Sequence, residues 1–292
     1  MRVGLQLPLF DYGRPEVLGP TLRKISGVAE EAGFSSLWVM DHFFQLEPGF
    51  GSADQNMLEA YTTLGHLAAA TERIRLGALV GGVIYRSPGL LVKGVTTLDV
   101  LSGGRSYFGI GAGWYEREAV GLGFPFPSTA ERFEWLEETL QVAEQMWSAE
   151  DGLFDGEFFE LAETICEPQP VSQPHPPVMI GGNGERKTLR LVAEYGDACN
   201  LLYLPPAGIK AKLGVLRDHC DRLERDYEEI ERTSLSPAGR GDPADLVDDT
   251  LDLLEGVADA GIQHAIINLP NAEELGVLEI FGEEIIPKAA EF

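Results

Sequence analysis

Asp41 and His42 stand side by side at the end of a short apolar run, residues 37–40, which follows Gly33 and precedes a polar, glycine-containing loop. Such a run reads as a strand buried on both faces. In parallel α/β folds ligands gather at the carboxyl ends of the strands, because the strand-to-helix loops converge there. A carboxylate next to an imidazole at that place suits proton transfer, since the ordinary histidine pKa of about 6.5 lies close to neutrality. The same pair also fits a loop cap beside a packed polar residue, so neighbouring motifs must decide.

A second constellation is the run 178–184, in which Gly181, Gly182, Asn183 and Gly184 lead into a helix expected near Glu185. Glycines at a strand-to-helix turn let the backbone approach a ligand closely, and the free amides of a helix start suit a phosphate. Arg186 and Lys187 add positive charge; a glycine turn with two solvated bases is the competing reading. In the run 108–114, Gly109, Gly111 and Gly113 superficially match a dinucleotide loop, but the next helix is expected only after Phe124-Pro125-Phe126-Pro127. A nucleotide fingerprint needs the helix to open within the glycines. The better reading is a strand whose small residues let a flat ring lie against it, with Trp114 lining the pocket or packing in the core. Gly81 and Gly82 end another apolar run and permit an irregular peptide there.

These residues need elements to hold them. Strand-like runs at 2–8, 36–42, 75–81, 106–114, 177–183, 198–202, 231–236 and 264–270 alternate with amphipathic segments. Strand alternating with helix implies parallel pairing with right-handed crossovers, and eight such units close into a barrel. The expected fold is therefore a (β/α)8 TIM barrel spanning 1–292 as one domain. An insertion at 149–176, a hairpin around Asp155-Gly156 followed by a proline-rich arm, precedes strand five. Ser128 with Glu131 predicts a capping box, and Asp242 with Pro243 a helix start, which makes Arg240-Gly241-Asp242 a cap rather than an adhesion motif. The seventh strand is the weakest, with two aliphatic residues in 231–236.

Composition removes whole classes of function. A net charge of −25, from 47 acidic and 22 basic residues, argues against nucleic-acid and membrane-surface partners. No stretch reaches the ~20 apolar residues of a membrane span. Three widely spaced cysteines, Cys166, Cys199 and Cys220, read as reduced thiols of a cytoplasmic protein. There is no G-x-S-x-G, H-E-x-x-H or H-x-H, so serine-hydrolase and mononuclear zinc chemistry lack their groups and no metal is expected. His66 reads as packed or interfacial, and His175, His219 and His264 fall in the arm, on an outer helix and at a strand's amino end.

Taken in order, Ala32-Gly33-Phe34 leading to Asp41-His42-Phe43, the stretch from Tyr85-Arg86-Ser87-Pro88 to Ser102-Gly103-Gly104-Arg105, the 109–114 glycines and Ile180-Gly181-Gly182-Asn183-Gly184 resemble the bacterial luciferase-like monooxygenase superfamily, in particular its deazaflavin-dependent branch using coenzyme F420. The resemblance covers nearly the whole chain. It implies a cofactor at the strand carboxyl ends, with phosphate near Gly182 to Arg186 and ring contacts from Asp41, Ala78, Leu79, Gly81, Gly111 and Gly113. It also implies a non-proline cis peptide at the end of strand three, placed between Ala78 and Leu79, and a homodimer through helices two and three, which suits the apolar run 58–70.

In this reading His42 exchanges the proton of a small organic substrate, Asp41 bonds the cofactor or orients the imidazole, and Phe43 and Trp114 wall the pocket. Trp114 departs from similar sugar-phosphate dehydrogenases, which carry an acidic residue there; the general-acid role is therefore not transferred, and nearby Glu116 is off the matching position. The alternative is an FMN-dependent monooxygenase supplied by a partner flavin reductase; an F420 reductase would be the counterpart for the first reading. The oligoglutamate tail of F420 would need bases around Arg86, Lys93 or Arg117. A binding protein without turnover, and a phosphate-binding lyase or isomerase, are the remaining classes.

Overall fold

A computed structural model describes residues 1–238 and 243–292; the cap expected at Asp242, with Arg240 and Gly241, lies outside the described residues. The barrel strands are β1 (Arg2–Leu7), β2 (Ser36–Val39), β3 (Arg75–Ala78), β4 (Phe108–Gly111), β5 (Val178–Gly181), β6 (Ala198–Leu202), β7 (Glu231–Pro237) and β8 (His264–Asn268). They pair in parallel in the order β3-β2-β1-β8-β7-β6-β5-β4. The ring closes because Leu76 bridges Ser106, and because the pair Gly81–Gly82, which continues strand three after a break, runs alongside β4. This is the (β/α)8 barrel.

Helices cover the outside: α1 (Pro15–Ala32), α2 (Ala60–Ala68), α3 (Pro88–Ser102), α4 (Glu116–Gly121), α5 (Thr129–Met146), α6 (Thr188–Tyr195), α7 (Pro206–Leu223) and α8 (Pro243–Asp259), then α9 (Leu275–Ile280) and a closing helical segment. The Ser128–Glu131 capping box starts α5 as its spacing predicts. Between α5 and β5, Phe154–Asp155 and Glu160–Leu161 form a small antiparallel hairpin, whose turn amides at Glu157, Phe158 and Phe159 donate to Glu138. Two apolar clusters result: the larger lies between strands and helices, and the smaller, Trp38, Tyr107, Met179, Leu235 and Ile266 among it, fills the barrel. None of the described helices is long and apolar enough to cross a membrane.

The seventh run, poorest in aliphatic residues, becomes a seven-residue strand because polar partners satisfy it. At the amino ends of the strands Glu231 accepts from Arg2 (2.6 Å), Tyr107 (2.8 Å) and His264 Nδ1 (2.9 Å). Ser36 lies 2.8 Å from His264 Nε2 and accepts from Trp38 at 2.6 Å. This polar plug seals the end opposite the candidate site. Burial pulls the His264 pKa down, against the opposing effect of Glu231. Burial alone would raise Glu231, but His264, Arg2 and Tyr107 hold it below the ordinary carboxylate value.

Both shifts mean that the unfolded chain binds the additional protons on acidification. The His264 share is complete above the ordinary histidine value of 6.5 and is lost as pH falls below it, whereas the Glu231 share is lost only below 4.5. Urea midpoints should therefore drop between about pH 7.5 and about pH 5. The slope should flatten in His264→Gln, and a midpoint independent of pH would contradict the buried neutral imidazole.

Candidate active site

Asp41 and His42 lie two and three residues past the end of β2, at the carboxyl face of the barrel. They line a cleft of about 340 Å3 together with Leu79, Val80, Gly81 and Gly82 from the strand-three break, Gly111, Ala112, Gly113 and Trp114 from β4, and Gly181 and Gly182 from β5. Tyr85, Thr129, Phe133, Thr188 and Leu202 complete the wall. Of the predicted residues, Asp41, His42, Leu79, Gly81, Gly111, Gly113, Trp114, Gly181 and Gly182 line this cleft, whereas Phe43, Ala78, Asn183, Gly184 and Arg186 do not.

The imidazole is not oriented by Asp41. Its Nδ1 donates to Glu118 on α4 at 2.5 Å, and the same carboxylate accepts from the Tyr85 hydroxyl and from the amides of Phe43 (2.7 Å) and Phe44 (3.0 Å). Burial would raise the Glu118 carboxyl; the bond and charge of His42, then Tyr85 and the Phe43 amide, instead hold it below the ordinary value. An acceptor of four donors stays ionised. That fixes the proton of a neutral His42 on Nδ1 and leaves Nε2 without a protein partner among the described residues. The ring stands edge-on to Trp114 (5.6 Å) and Tyr115 (5.8 Å), which themselves stack.

Asp41 is held elsewhere. Its carboxylate accepts from both Arg86 terminal nitrogens (2.8 and 3.0 Å) and from the Gly82 amide (3.0 Å), so it pins the strand-three break to the end of β2. Burial works against the Arg86 charge, yet Asp41 and Glu59 keep its pKa above the ordinary value. Both Arg86 terminal nitrogens are taken up inside the fold by Asp41 and Glu59. Arg117, largely exposed, pairs with Glu47, and Lys93 donates to the Glu167 carbonyl and keeps its charge.

The non-proline cis peptide lies between Leu79 and Val80, one residue beyond the predicted Ala78–Leu79 bond. Leu79 still donates its amide to Val39 (2.8 Å), so β3 keeps its register with β2 through that residue. The glycines of β4 and β5 also have another partner than a ring. A β-carbon at Gly111 or Gly181 would come within 2.9 Å of Val80, whose side chain occupies the space they leave. Val80, rather than bare glycine backbone, floors the cleft.

Phe43 turns away from the cleft and packs against Tyr85 (5.2 Å) and Phe124 (5.3 Å), so Tyr85 forms the wall assigned to it. Trp114 lines the mouth but is 62% exposed, a rim rather than a wall. Helix α6 begins at Thr188 rather than near Glu185. The Asn183 amide is spent on β6, donating to the Leu202 carbonyl and accepting its amide, both at 2.9 Å. Gly184 and Arg186 are exposed outside the cleft wall, and Lys187 is paired with Glu134 (2.7 Å). Gly182, at φ +131°, makes the turn, and the amides of Gly184, Glu185 and Arg186 donate to no group among the described residues. Glu118 is the functional residue that sequence reasoning missed; its only signal is a carboxylate three residues past Tyr115, on a helix start that faces the β2 loop.

Residues 18–283 match the luciferase-like monooxygenase family model. The chain belongs to that family. An uncharacterized protein of Mycobacterium tuberculosis is 34% identical over 191 residues, 61% of this chain and 66% of its own length. The F420-dependent glucose-6-phosphate dehydrogenase of Kineococcus radiotolerans is 31% identical over 231 residues, covering 76% of this chain and 65% of its own length. The chain thus spans about two thirds of the length of these luciferase-like relatives. An F420-dependent secondary alcohol dehydrogenase solved with an F420-acetone adduct shares the barrel, with a TM-score of 0.81 at 20% identity over 99% of this chain and 98% of that one.

Proposed function

We propose that this luciferase-like protein is an oxidoreductase that uses coenzyme F420 to pass a hydride to or from a small organic substrate, with His42 exchanging the substrate proton. The observation that carries the reading is the placement of His42: its ring is fixed by an ionised Glu118 beside a slot floored by Val80 and walled by Gly182 and Thr188, the two ends of a turn whose middle amides are unpaired. The fit to the cofactor is chemical. Leu79, Val80, Ala112 and the glycines offer a narrow, mostly apolar slot for a tricyclic ring, and the Gly182–Thr188 turn offers amides for a phosphate. Bound there, a deazaflavin supplies the carbon that gives or takes the hydride.

The chain's own residues do the rest. Glu118 sets the tautomer, so Nε2 of His42 accepts a proton from a substrate hydroxyl during oxidation, or returns it during reduction. Asp41 and Arg86 hold the Gly82 backbone against the ring position. Trp114 and Tyr85 narrow the entrance and limit water.

Reduced FMN from a partner reductase is the competing cofactor, in keeping with the family's description as monooxygenases. Quenching of intrinsic fluorescence by F420 and by FMN separates the two. Tighter binding of F420, followed by its reduction by a panel of alcohols, is the expected result, and clear preference for FMN overturns it. Self-association belongs to the same reading: Leu90 and Leu101 stand exposed on α3, beside α2, and a solution mass of two 31.8 kDa chains is expected. Three buried, unpaired cysteines support a cytoplasmic setting, which cell fractionation checks.

A further inference from the structure

The cleft at His42 occupies only half of the barrel mouth. A second, larger cavity of about 690 Å3 opens over the other half, at the carboxyl ends of β6, β7, β8 and β1. Leu202 lines the cleft and the next residue, Tyr203, lines this cavity, so the two meet at the end of β6. Leu9, Phe50, Leu246, Leu269 and Val277 give it apolar walls. Among the described residues Glu274 is its only charged lining side chain, and Asn268, at the strand end, spends its amide on Gln6 at 2.5 Å.

Tyr203 is the second observation. Its backbone sits at φ +49°, a region that side chains other than glycine's adopt at a cost, and its amide is held there by the Leu235 carbonyl at 3.0 Å. That strain does not serve core burial, since half of the residue is exposed at the cavity rim. A cost retained at a ligand-facing strand end, with no packing return, points to contact with a bound molecule.

We propose that this cavity receives the body of the substrate, and that the substrate is an uncharged, largely apolar organic molecule with Tyr203 as its aromatic platform. The inference rests on the redox reading above, which requires a substrate beside the His42 cleft. Among the described residues Glu274 is the one charge on the cavity walls, and it would repel a phosphate.

The test uses the full chain and saturation-transfer NMR with cyclohexanone, cyclohexanecarboxylate and glucose 6-phosphate, each with and without F420. Cyclohexanone should bind and both anions should not. Tyr203→Gly should weaken cyclohexanone about tenfold, without lowering the melting temperature, because glycine removes the backbone strain. Val277→Trp, which fills the cavity from α9, should weaken it as well and leave F420 quenching unchanged. Stronger binding of glucose 6-phosphate than of cyclohexanone, or cyclohexanone binding indifferent to both substitutions, overturns the assignment. Cyclohexanone binding that responds to both variants in a protein that never binds F420 upholds the ligand class and removes only the redox reading.

Discussion

Replacing Glu118 with glutamine should leave the barrel folded and lower turnover about 10²- to 10⁴-fold. The reason lies in which atom bonds what. One carboxylate oxygen accepts from the Phe43 and Phe44 amides, so a glutamine must keep its carbonyl there. Its NH2 group then occupies the place that faces His42 Nδ1 and the Tyr85 hydroxyl. Tyr85 can accept that bond by rotating its hydroxyl, but the imidazole must move its proton to Nε2. The nitrogen assigned to accept the substrate proton is then blocked.

The loss should fall on kcat rather than on KM, with F420 affinity unchanged. Because the carboxyl titrates below its ordinary range, wild-type activity should not be lost through Glu118 until pH falls below 4.5. His42→Ala should match the defect, and the double variant should be no worse than either alone. Wild-type kcat in Glu118→Gln would remove the dyad from the mechanism.

Gly109→Ala should be among the most destabilising single substitutions in this chain. A β-carbon there would lie 2.0 Å from the Ala78 carbonyl oxygen, which belongs to the neighbouring strand and cannot rotate away. Relieving the overlap means parting β3 from β4 where the ring closes through Leu76 and Ser106. Overpacking against backbone should cost about 3 kcal/mol or more, which corresponds to a melting temperature lower by about 5 to 10 °C. Gly94→Ala is the control. It lies on α3 with nothing within 4 Å of the new carbon, and should raise stability by about 0.5 to 1 kcal/mol. Equal melting temperatures for Gly109→Ala and wild type would show that strands three and four do not approach as closely as described.

How far the molecule was legible depended on the range of the interactions involved. Strand and helix periodicity is local, and the eight runs, the capping box and the glycine turn at β5 were readable from neighbours a few residues apart. Glu118 was not. Its chain position reads as a solvated helix residue, and it becomes fully buried only because the β2 loop, 76 residues earlier, folds across it. Asp41 shows the same limit, since its partner Arg86 lies 45 residues on and sequence proximity favoured the adjacent imidazole. The glycines at 111 and 181 were recognised as places of close approach, but the approaching atoms come from Val80 in the break after β3. Phe43 was misplaced because β2 ends at Val39, after which strand alternation no longer dictates where a side chain points.

The four bonds to Glu118 are divided between its two carboxylate oxygens. Two of them fasten the main chain of the loop after β2 through one oxygen, and the other oxygen fastens the His42 ring. A single side chain therefore ties the His42 ring and the loop after β2 to the same helix. Losing the whole carboxylate would release ring and loop together, whereas an amide in its place keeps the loop and changes the ring alone, so the two fastenings are separable oxygen by oxygen.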